Sequence, residues 1–325
     1  MRIAIGCALL AAVGPTAAAI AQPPTTTVET VREAPPASSA TPAQDMAFEI
    51  DRTDRMTVPV LIGGTGPYPF LVDTGADRTA VSSRLAARLA LAPGRTATLH
   101  SVTGSTVVQT AKVPRLEINK SRVRSVEAAL LERSNIGAEG ILGVDSLRSE
   151  RVTFDFGRQL ISIVPSTQRI EREDRDAIVI RGTLKRGHLI VTNARVNGAR
   201  LTVVLDTGSE VTMGNSALRQ RLERLNRLGE PQLGEMISVT GQKLVGEVYS
   251  IRQLTIGEVT FRDLAIMFSD APIFGSLGLE EGPTMLLGMN AMRAFDKVSI
   301  DFANKKLRMV MPLHSSREGA QVAAR

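Results

Sequence analysis

The chain has 325 residues, of which 43% are hydrophobic and 22% charged, with a net charge of +6; this composition is typical of globular proteins, and the length predicts about two folded units. With one cysteine and three histidines, the chain cannot be a disulfide scaffold, a zinc finger or a thiol protease, and a His/Cys metal cage is nearly excluded. Aromatic residues make up 3% of the chain, which disfavours a nucleic-acid reader that stacks bases on aromatic rings. We expect no metal, no cofactor and no nucleic-acid partner.

The N-terminus has the pattern of an export signal. A positive start at Arg2 is followed by an apolar stretch from Ile3 to Ile20, and Ala19-Ile20-Ala21 has the small-x-small pattern of a signal-peptidase site. We predict a signal peptide over residues 1–21 and a periplasmic or secreted protein; an N-terminal membrane anchor that faces the periplasm is the alternative. No later run approaches the ~20 apolar residues of a membrane helix, so we expect no membrane span after signal removal.

The segment that follows is rich in proline, threonine, alanine and serine. Residues 22–46 contain too little apolar surface to offset the entropy lost on ordering. We predict a flexible linker here, and an inhibitory pro-segment stays open as the alternative.

Both halves of the remaining chain open with two short apolar runs around a turn, which is the pattern of a β-hairpin. The runs are Val58–Ile62 and Phe70–Val72 in the first half and Leu189–Val196 and Leu201–Leu205 in the second. Gly63-Gly64-Thr65-Gly66-Pro67 predicts the first turn, and Asn197-Gly198 is a strong two-residue turn in the second. Most later runs are also short and bounded by glycine, so we predict a mostly β fold.

A short helix is predicted in each half, after its second apolar run. In the second half, Leu218, Leu222 and Leu225 recur at i, i+4 and i+7. The polar side of this helix carries the best basic cluster of the chain, Arg219, Arg221, Arg224 and Arg227. We interpret these arginines as a solvated helix face rather than a nucleic-acid surface.

The two halves are copies of one unit. Phe70-Leu71-Val72-Asp73-Thr74-Gly75-Ala76 and Val203-Val204-Leu205-Asp206-Thr207-Gly208-Ser209 share one pattern and lie 133 residues apart. Three further pairs of segments match in the same order: 101–104 with 238–241, 140–145 with 285–290, and 152–156 with 298–302. The ordered set of matches indicates a tandem duplication.

An aspartate placed between a buried strand and a Thr-Gly turn is held rigidly. The strand fixes the carboxylate, glycine allows the tight turn, and the threonine hydroxyl can lock the loop by hydrogen bonds. A single Asp-Thr-Gly is a weak pattern, because it also fits an ordinary Asx turn. Two of them at matching places in a duplicated fold predict that a pseudo-two-fold axis brings Asp73 and Asp206 face to face.

These motifs resemble the retropepsin-like and pepsin-like aspartic peptidases. Asp73-Thr74-Gly75-Ala76-Asp77 looks like the retroviral form and Asp206-Thr207-Gly208-Ser209 like the pepsin form, while Ile141-Leu142-Gly143 and Leu286-Leu287-Gly288 resemble the strand behind each catalytic loop. The resemblance implies two retropepsin-like β-barrel lobes in one chain, with a short helix after each catalytic loop. The boundaries that we predict are an N-terminal lobe over 47–165, an interlobe linker over 166–177, a C-terminal lobe over 178–312 and a flexible tail over 313–325.

The same resemblance implies roles for the site residues. Asp73 and Asp206 would share one proton and activate a water molecule. The aspartic proteases are a standard example of two carboxylates coupled in this way. Thr74 and Thr207 would brace the two loops, and Gly75 and Gly208 would allow close approach to the dyad. Ala76 and Ser209 complete these loops. Because Ala76 offers no hydroxyl to Asp73, we predict a mildly acidic to near-neutral pH optimum.

Two further segments resemble the flap, the hairpin that closes over a peptide in this family. The residues are Val102, Thr103 and Gly104 in the first half and Val239, Thr240 and Gly241 in the second. The alternative is a pair of ordinary β-turns. Two flaps would favour the retropepsin form, since pepsins use one.

We therefore predict an aspartic endopeptidase that acts as a monomer with an intramolecular dyad on an extended polypeptide. Limited processing of exported proteins is the preferred role, by analogy alone. The alternative function is a catalytically idle protein that binds peptides in the same cleft.

Overall fold

The computed structural model describes residues 2–4, 27–29, 46–47, 56–118, 121–170 and 177–312. Apart from three short strands, the predicted signal peptide and the 22–46 linker lie outside the described residues, as does the 313–325 tail. Residues 171–176 of the predicted interlobe linker also lie outside them. Within the described ranges, no helix is long and apolar enough to cross a membrane.

The chain is mostly β, as predicted. The strands are β1 (Arg2–Ala4), β2 (Thr27–Glu29), β3 (Met46–Ala47), β4 (Thr57–Ile62), β5 (Thr65–Val72), β6 (Ala80–Ser82), β7 (Ala92–Pro93), β8 (Ala97–Ser101), β9 (Gly104–Val108), β10 (Thr110–Ile118), β11 (Ser121–Leu131), β12 (Gly140–Leu142), β13 (Glu150–Asp155), β14 (Leu160–Pro165), β15 (Ile178–Arg181), β16 (Thr183–Lys185), β17 (His188–Val196), β18 (Ala199–Leu205), β19 (Thr212–Gly214), β20 (Gln232–Ile237), β21 (Lys243–Ile256), β22 (Val259–Phe268), β23 (Thr284–Leu287), β24 (Lys297–Asp301) and β25 (Lys306–Val310). The helices are α1 (Ser83–Arg88), α2 (Arg133–Ile136), α3 (Val144–Leu147), α4 (Ser216–Arg224), α5 (Pro272–Ser276) and α6 (Met289–Met292).

Each half forms a closed barrel with the same order of strands. In the first lobe, residues 56–165, the ring of paired strands is β4, β5, β12, β6, β11 and β10, and β10 returns to β4. In the second lobe, residues 177–312, the ring is β17, β18, β23, β19, β22 and β21, and β21 returns to β17. The matching rings confirm the duplicated lobes.

A shared sheet joins the lobes, in the order β15, β25, β24, β13, β14 and β3. Its two central strands, β13 and β24, come from different lobes and pair antiparallel, with Thr153 opposite Ser299. These two residues occupy equivalent places in the duplicated sequence, and their hydroxyls hydrogen-bond each other at 2.6 Å. The pseudo-two-fold axis therefore passes through this pair.

Both predicted hairpins and both helices are present, with different ends. The first hairpin turns at Gly63-Gly64 alone, because Thr65 already begins β5. The second turns at Asn197-Gly198, where both residues have positive φ. Helix α4 buries Leu218 and Leu222 but ends at Arg224, so Leu225 follows the helix and is 37% exposed instead of packing with them.

Side-chain caps determine where α1 and α4 begin. Ser82 Oγ accepts a hydrogen bond from Leu85 N at 3.0 Å, and Asn215 Oδ1 accepts one from Leu218 N at the same distance. Each cap satisfies an N–H group that has no partner within its helix. The apolar face of each helix then packs against strands of its own barrel, with Leu85 and Leu218 fully buried.

Candidate active site

The two Asp-Thr-Gly loops begin where a buried strand ends in each barrel. Strand β5 pairs in parallel with β12, and Asp73 N donates to Leu142 O at 3.0 Å. Strand β18 pairs with β23 in the same way, and Asp206 N donates to Leu287 O at 3.0 Å. The apolar strand before Gly143 in the first lobe, and the one before Gly288 in the second, therefore fix the backbone of the two aspartates.

Four reciprocal hydrogen bonds join the loops across the lobe boundary. Thr74 Oγ1 donates to the Leu205 carbonyl at 2.9 Å and accepts from Thr207 N at 3.1 Å. Thr207 Oγ1 donates to the Val72 carbonyl at 2.8 Å and accepts from Thr74 N at 3.1 Å. Each hydroxyl therefore uses both its donor and its acceptor capacity on the opposite lobe, in a site where both threonines are buried.

This arrangement places the two carboxylates side by side in the interior. Asp73 is 1% exposed and Asp206 fully buried. Gly75 N donates to Asp73 Oδ1 at 2.8 Å, and Gly208 N donates to Asp206 Oδ1 at 3.0 Å. Asp206 Oδ2 is also buried and takes no hydrogen bond from the described part of the chain.

The two glycines are the reason that the carboxylates can come so close. A Cβ atom on Gly75 would lie 2.4 Å from Asp206 Oδ1, and one on Gly208 would lie 2.2 Å from Asp73 Cγ. Both distances are far inside van der Waals contact, so no larger residue fits without moving the opposite aspartate.

The pKa of Asp206 is raised well above its ordinary value, first by burial and then by the negative charge of Asp73. Hydrogen bonds from the backbone of Gly208 and Ser209 act in the opposite direction and are weaker. Two buried carboxylates side by side cannot both ionise at low cost, so ionisation of one favours the protonated form of the other.

Ala76 and Ser209 occupy equivalent places and make equivalent backbone contacts. The Ala76 carbonyl accepts from Val144 N at 2.9 Å, and the Ser209 carbonyl accepts from Met289 N at 2.8 Å. The Ser209 hydroxyl donates to the Val211 carbonyl at 2.7 Å. A serine hydroxyl at this place therefore braces its own loop here, so the missing hydroxyl at Ala76 is not by itself a missing hydrogen bond to a carboxylate.

A second pair of braces was not identified from the sequence. Thr79 N and Oγ1 both donate to Asp145 Oδ1, at 2.9 and 2.8 Å. In the other lobe, Thr212 N and Oγ1 donate to Asn290 Oδ1 at the same distances. The duplicated alignment pairs these residues, which could have indicated a shared role.

His188 is the other residue that sequence reasoning missed. It is fully buried at the start of β17, and its ring reaches from the second lobe to the first Asp-Thr-Gly loop. Nδ1 lies 2.9 Å from the Thr74 carbonyl, and Nε2 lies 2.5 Å from Asp77 Oδ1. The residue equivalent to Asp77 is Glu210, which pairs with Arg293 of its own lobe at 2.5 Å.

The two predicted flap segments both form the tips of hairpins, with Val102 and Val239 buried. Val102 and Thr103 make the turn between β8 and β9, with Gly104 at φ 137° beginning β9. Val239 and Thr240 lie in the turn between β20 and β21, with Gly241 at φ 81°.

In the described residues, no group of three or more His, Cys, Asp and Glu side chains could hold a metal ion.

Comparison with known proteins supports the interpretation of both lobes. Residues 58–149 match the family model of the gag-polyprotein aspartyl proteases, and residues 192–291 match the aspartyl protease family model. A crystal structure of a retropepsin-like aspartic protease from Rickettsia conorii is similar at 19% identity and a TM-score of 0.28, covering 41% of this chain and 88% of that one. No curated protein matches the sequence. Aspartyl protease family models thus match both lobes, and the chain belongs to the aspartic peptidases: it is an aspartic-type endopeptidase with one Asp-Thr-Gly loop in each of two fused lobes.

Proposed function

We propose that Asp73 and Asp206 form the catalytic dyad and hydrolyse peptide bonds in exported polypeptides. The observation that carries the proposal is the pair of buried, adjacent carboxylates, each fixed by a glycine N–H, with the pKa of Asp206 raised by its surroundings. With one proton on the pair, the ionised carboxylate accepts a proton from a bound water, and the protonated carboxyl donates to the scissile carbonyl oxygen.

The reaction then needs only groups that the chain supplies. Attack by the water oxygen on the carbonyl carbon gives a tetrahedral diol, while its proton moves to the dyad. The protonated carboxyl of the dyad then gives its proton to the peptide nitrogen and the C–N bond breaks, while one diol hydroxyl returns a proton to the dyad. The products are a carboxylic acid and an amine. The pair returns to one proton, so the cycle is balanced. The threonine braces hold both carboxylates in place throughout.

The direct test is to replace each aspartate by asparagine in the purified full-length protein. Asp73→Asn and Asp206→Asn should each lower the cleavage of unfolded protein at least about 10³-fold, while a pepstatin-type inhibitor blocks the wild type. Asp263→Asn is the matched control, because Asp263 is exposed and its positive φ is equally available to asparagine. Cleavage at the wild-type rate by either dyad variant would refute the assignment, and inhibitor binding without cleavage by the wild type would indicate an idle peptide-binding protein.

The monomeric, intramolecular dyad has its own test. The four hydrogen bonds that Thr74 and Thr207 make across the lobe boundary join the two loops of one chain, so each molecule should carry a complete dyad. A mixture of the Asp73→Asn and Asp206→Asn proteins should therefore stay inactive. Recovery of activity on mixing would show that dyads assemble between chains.

Processing of exported proteins rests on the N-terminal pattern of the sequence. N-terminal sequencing of the protein isolated from its host should give Gln22 as the first residue, and cell fractionation should recover it outside the cytoplasm. Comparison of exported proteins from host cells with the wild-type and Asp206→Asn enzymes should reveal new N-termini only with the wild type. Recovery of an uncleaved protein in the cytoplasm would contradict this role.

A further inference from the structure

A groove on the surface of the second lobe is lined by four arginines. It has a volume of about 610 Å³ and lies between the β17–β18 hairpin, helix α4 and the segment before β23. Arg195 and Arg200 line it from the hairpin, and Arg221 and Arg224 line it from the helix. A volume of this size suits a small molecule or a single headgroup.

The groove separates the arginines of α4 into two kinds. Arg219 forms ion pairs with Glu223 and Glu247, each at 2.8 Å. Arg221 and Arg224 face the groove, and no ion pair joins either of them to a carboxylate of the described residues. The structure therefore adds a ligand-sized groove to what the sequence indicates only as a solvated helix face.

The arginines stand in pairs of like charge. Arg195 on β17 lies directly opposite Arg200 on β18 in the antiparallel ladder. Arg221 and Arg224 are three positions apart on α4, so they are neighbours on one side of the helix. Like charges in such positions repel and destabilise the sheet or helix that holds them. An anion bound in the groove would neutralise both pairs.

Hydrogen bonds to the backbone hold two of the guanidinium groups. Arg195 Nη1 donates to the Gly198 carbonyl, and Arg224 Nε donates to the Gln220 carbonyl, both at 3.2 Å. Each contact uses one of the five N–H donors of a guanidinium, so most of the donors remain for a ligand. The planar fork of these donors matches two oxygens of a phosphate or a carboxylate.

The charge of the lining favours an anion with more than one negative charge. Among the described residues that line the groove, Glu281 is the one carboxylate against the four arginines. The lining therefore has an excess of positive charge that a single carboxylate would not balance. A phosphate monoester carries a charge of about −1.5 to −2 at neutral pH and offers three acceptor oxygens.

The duplicated sequence shows that the barrel does not require these arginines. At the places 133 residues earlier, Pro67 stands for Arg200 and Arg88 stands for Arg221. The Arg88 guanidinium lies over the ring of Tyr68, 5.0 Å from its centroid. The first lobe forms the same ring of strands with this different set of residues, so the groove is a property of the second lobe alone.

We propose that the arginine groove is a binding site for a phosphate group, carried by a soluble small molecule or by a phospholipid headgroup. Arginines of the hairpin and of the helix would donate to the phosphate oxygens from two sides. The site is separate from the dyad, because Arg200 and Asp206 lie at opposite ends of β18, about 20 Å apart at roughly 3.3 Å per residue.

The first experiment measures the binding of pyrophosphate to the purified full-length protein by isothermal titration calorimetry. Arg200→Gln and Arg221→Gln should each weaken binding about 5-fold or more, and Glu281→Gln should strengthen it by a similar factor, since one charge near a phosphate changes affinity by about this amount. Arg148→Gln is the matched control, because Arg148 is exposed on the first lobe, and its affinity should equal that of the wild type.

A second arm identifies the source of the phosphate. Cosedimentation compares vesicles of phosphatidylcholine with vesicles that also contain phosphatidylglycerol. The apolar stretch 3–20 can bind any bilayer, so the informative quantity is the binding that phosphatidylglycerol adds. Loss of this added binding in Arg221→Gln indicates a lipid headgroup, whereas pyrophosphate binding without it indicates a soluble ligand. The proposal is overturned if neither probe binds, or if binding does not respond to the arginine substitutions.

Two further measurements separate the phosphate site from other roles of the arginines. A hexaglutamate peptide that binds as tightly as pyrophosphate would make an acidic polypeptide the occupant and overturn the proposal. Pyrophosphate should raise the Tm of the wild type but not that of Arg200→Gln. Without ligand, Arg200→Gln should unfold at the same or a higher temperature, because the cross-strand repulsion is relieved. A lower Tm would show that Arg200 stabilises the lobe instead.

The outcome is independent of the peptidase function. Arg200→Gln should cleave a soluble peptide at the wild-type rate, since Arg200 is distant from the dyad. Loss of phosphate binding with full cleavage supports the site and leaves the peptidase intact. Loss of both in a protein with a wild-type Tm would show that the groove is not separate from the active site, and would overturn the proposal.

Discussion

Gly208→Ala is the sharpest test of how the carboxylates are placed. The new Cβ would lie 2.2 Å from Asp73 Cγ and 2.3 Å from Asp73 Oδ2, where ordinary contact begins at 3.4 Å. Gly208 has no positive φ, so alanine is compatible with the backbone and the collision is the whole effect. To remove it, the Asp73 carboxylate or the 207–209 loop must move by about 1 Å.

A shift of this size should affect catalysis far more than folding. Misplacement of a reacting group by about 1 Å costs roughly 10²-fold in rate, so we expect kcat to fall about 100-fold. Overpacking of a buried site costs about 1–3 kcal/mol of unfolding free energy, which for a chain of this size lowers the Tm by only several degrees. Gly75→Ala should behave alike, because its Cβ would lie 2.4 Å from Asp206 Oδ1.

The assay is steady-state cleavage of one peptide, with kcat and KM determined separately, and circular dichroism to follow unfolding. Gly229→Ala is the control, because nothing lies within 4 Å of a Cβ atom at Gly229; its kcat should match the wild type. If Gly208→Ala retains kcat within about 3-fold of the wild type, the carboxylates do not need this spacing and the reasoning is refuted.

Three further predictions follow from the same contacts. Thr74→Ala leaves the Leu205 carbonyl and Thr207 N without this partner and should lower the unfolding free energy by about 2–6 kcal/mol, at roughly 1–3 kcal/mol for each group. Thr74→Ser should keep most of the stability. Equal losses for both variants in chemical denaturation would contradict the brace. His188→Ala and Asp77→Ala should each lower kcat with little change in KM. The kcat of the double variant should be no lower than that of the single variants, since the two side chains contact each other. Additive decreases in kcat would show that they act separately. The pKa of Asp206 is raised in the folded state, so the contribution of Asp206 to the unfolding free energy should be fully present below its ordinary pKa and be lost as the pH rises through the raised value. Asp206→Asn should remove this loss in thermal unfolding measured across pH, and an unchanged pH dependence would contradict the coupling.

The duplicated fold and the facing loops could be predicted because their determinants are local. The apolar strand, the tight turn and the glycine at Gly75 and Gly208 lie within a few residues of each aspartate, and the repeat places them at matching positions. The strand rings, the helices α1 and α4 and the family all agree with that prediction. The domain boundaries and the roles of individual site residues stay predictions.

The contacts that sequence could not predict are those between distant residues. His188 lies 111 residues from Asp77, and no local pattern indicates that a histidine opening β17 reaches the first catalytic loop. The burial of Val102 and Val239 against the opposite lobes is equally non-local, although a valine in each turn, where polar residues are usual, could have indicated that both side chains are buried. The end of α4 before Leu225 depended on capping geometry rather than on apolar spacing.

The two catalytic loops therefore depend on the lobes in different ways. Both loops share the reciprocal threonine hydrogen bonds, but Glu210 of the second loop is held by Arg293 from its own lobe. Asp77 is held by His188 from the other lobe, and that ring also contacts the Thr74 carbonyl beside Asp73. The first loop consequently needs the docked second lobe for this brace, whereas the second loop does not need the first lobe for its own. Because both lobes belong to one chain, the interlobe sheet makes that docking intramolecular. Two identical subunits would repeat every brace on both sides of the symmetry axis. A brace beside Asp73 alone is therefore possible only because the two lobes differ in sequence.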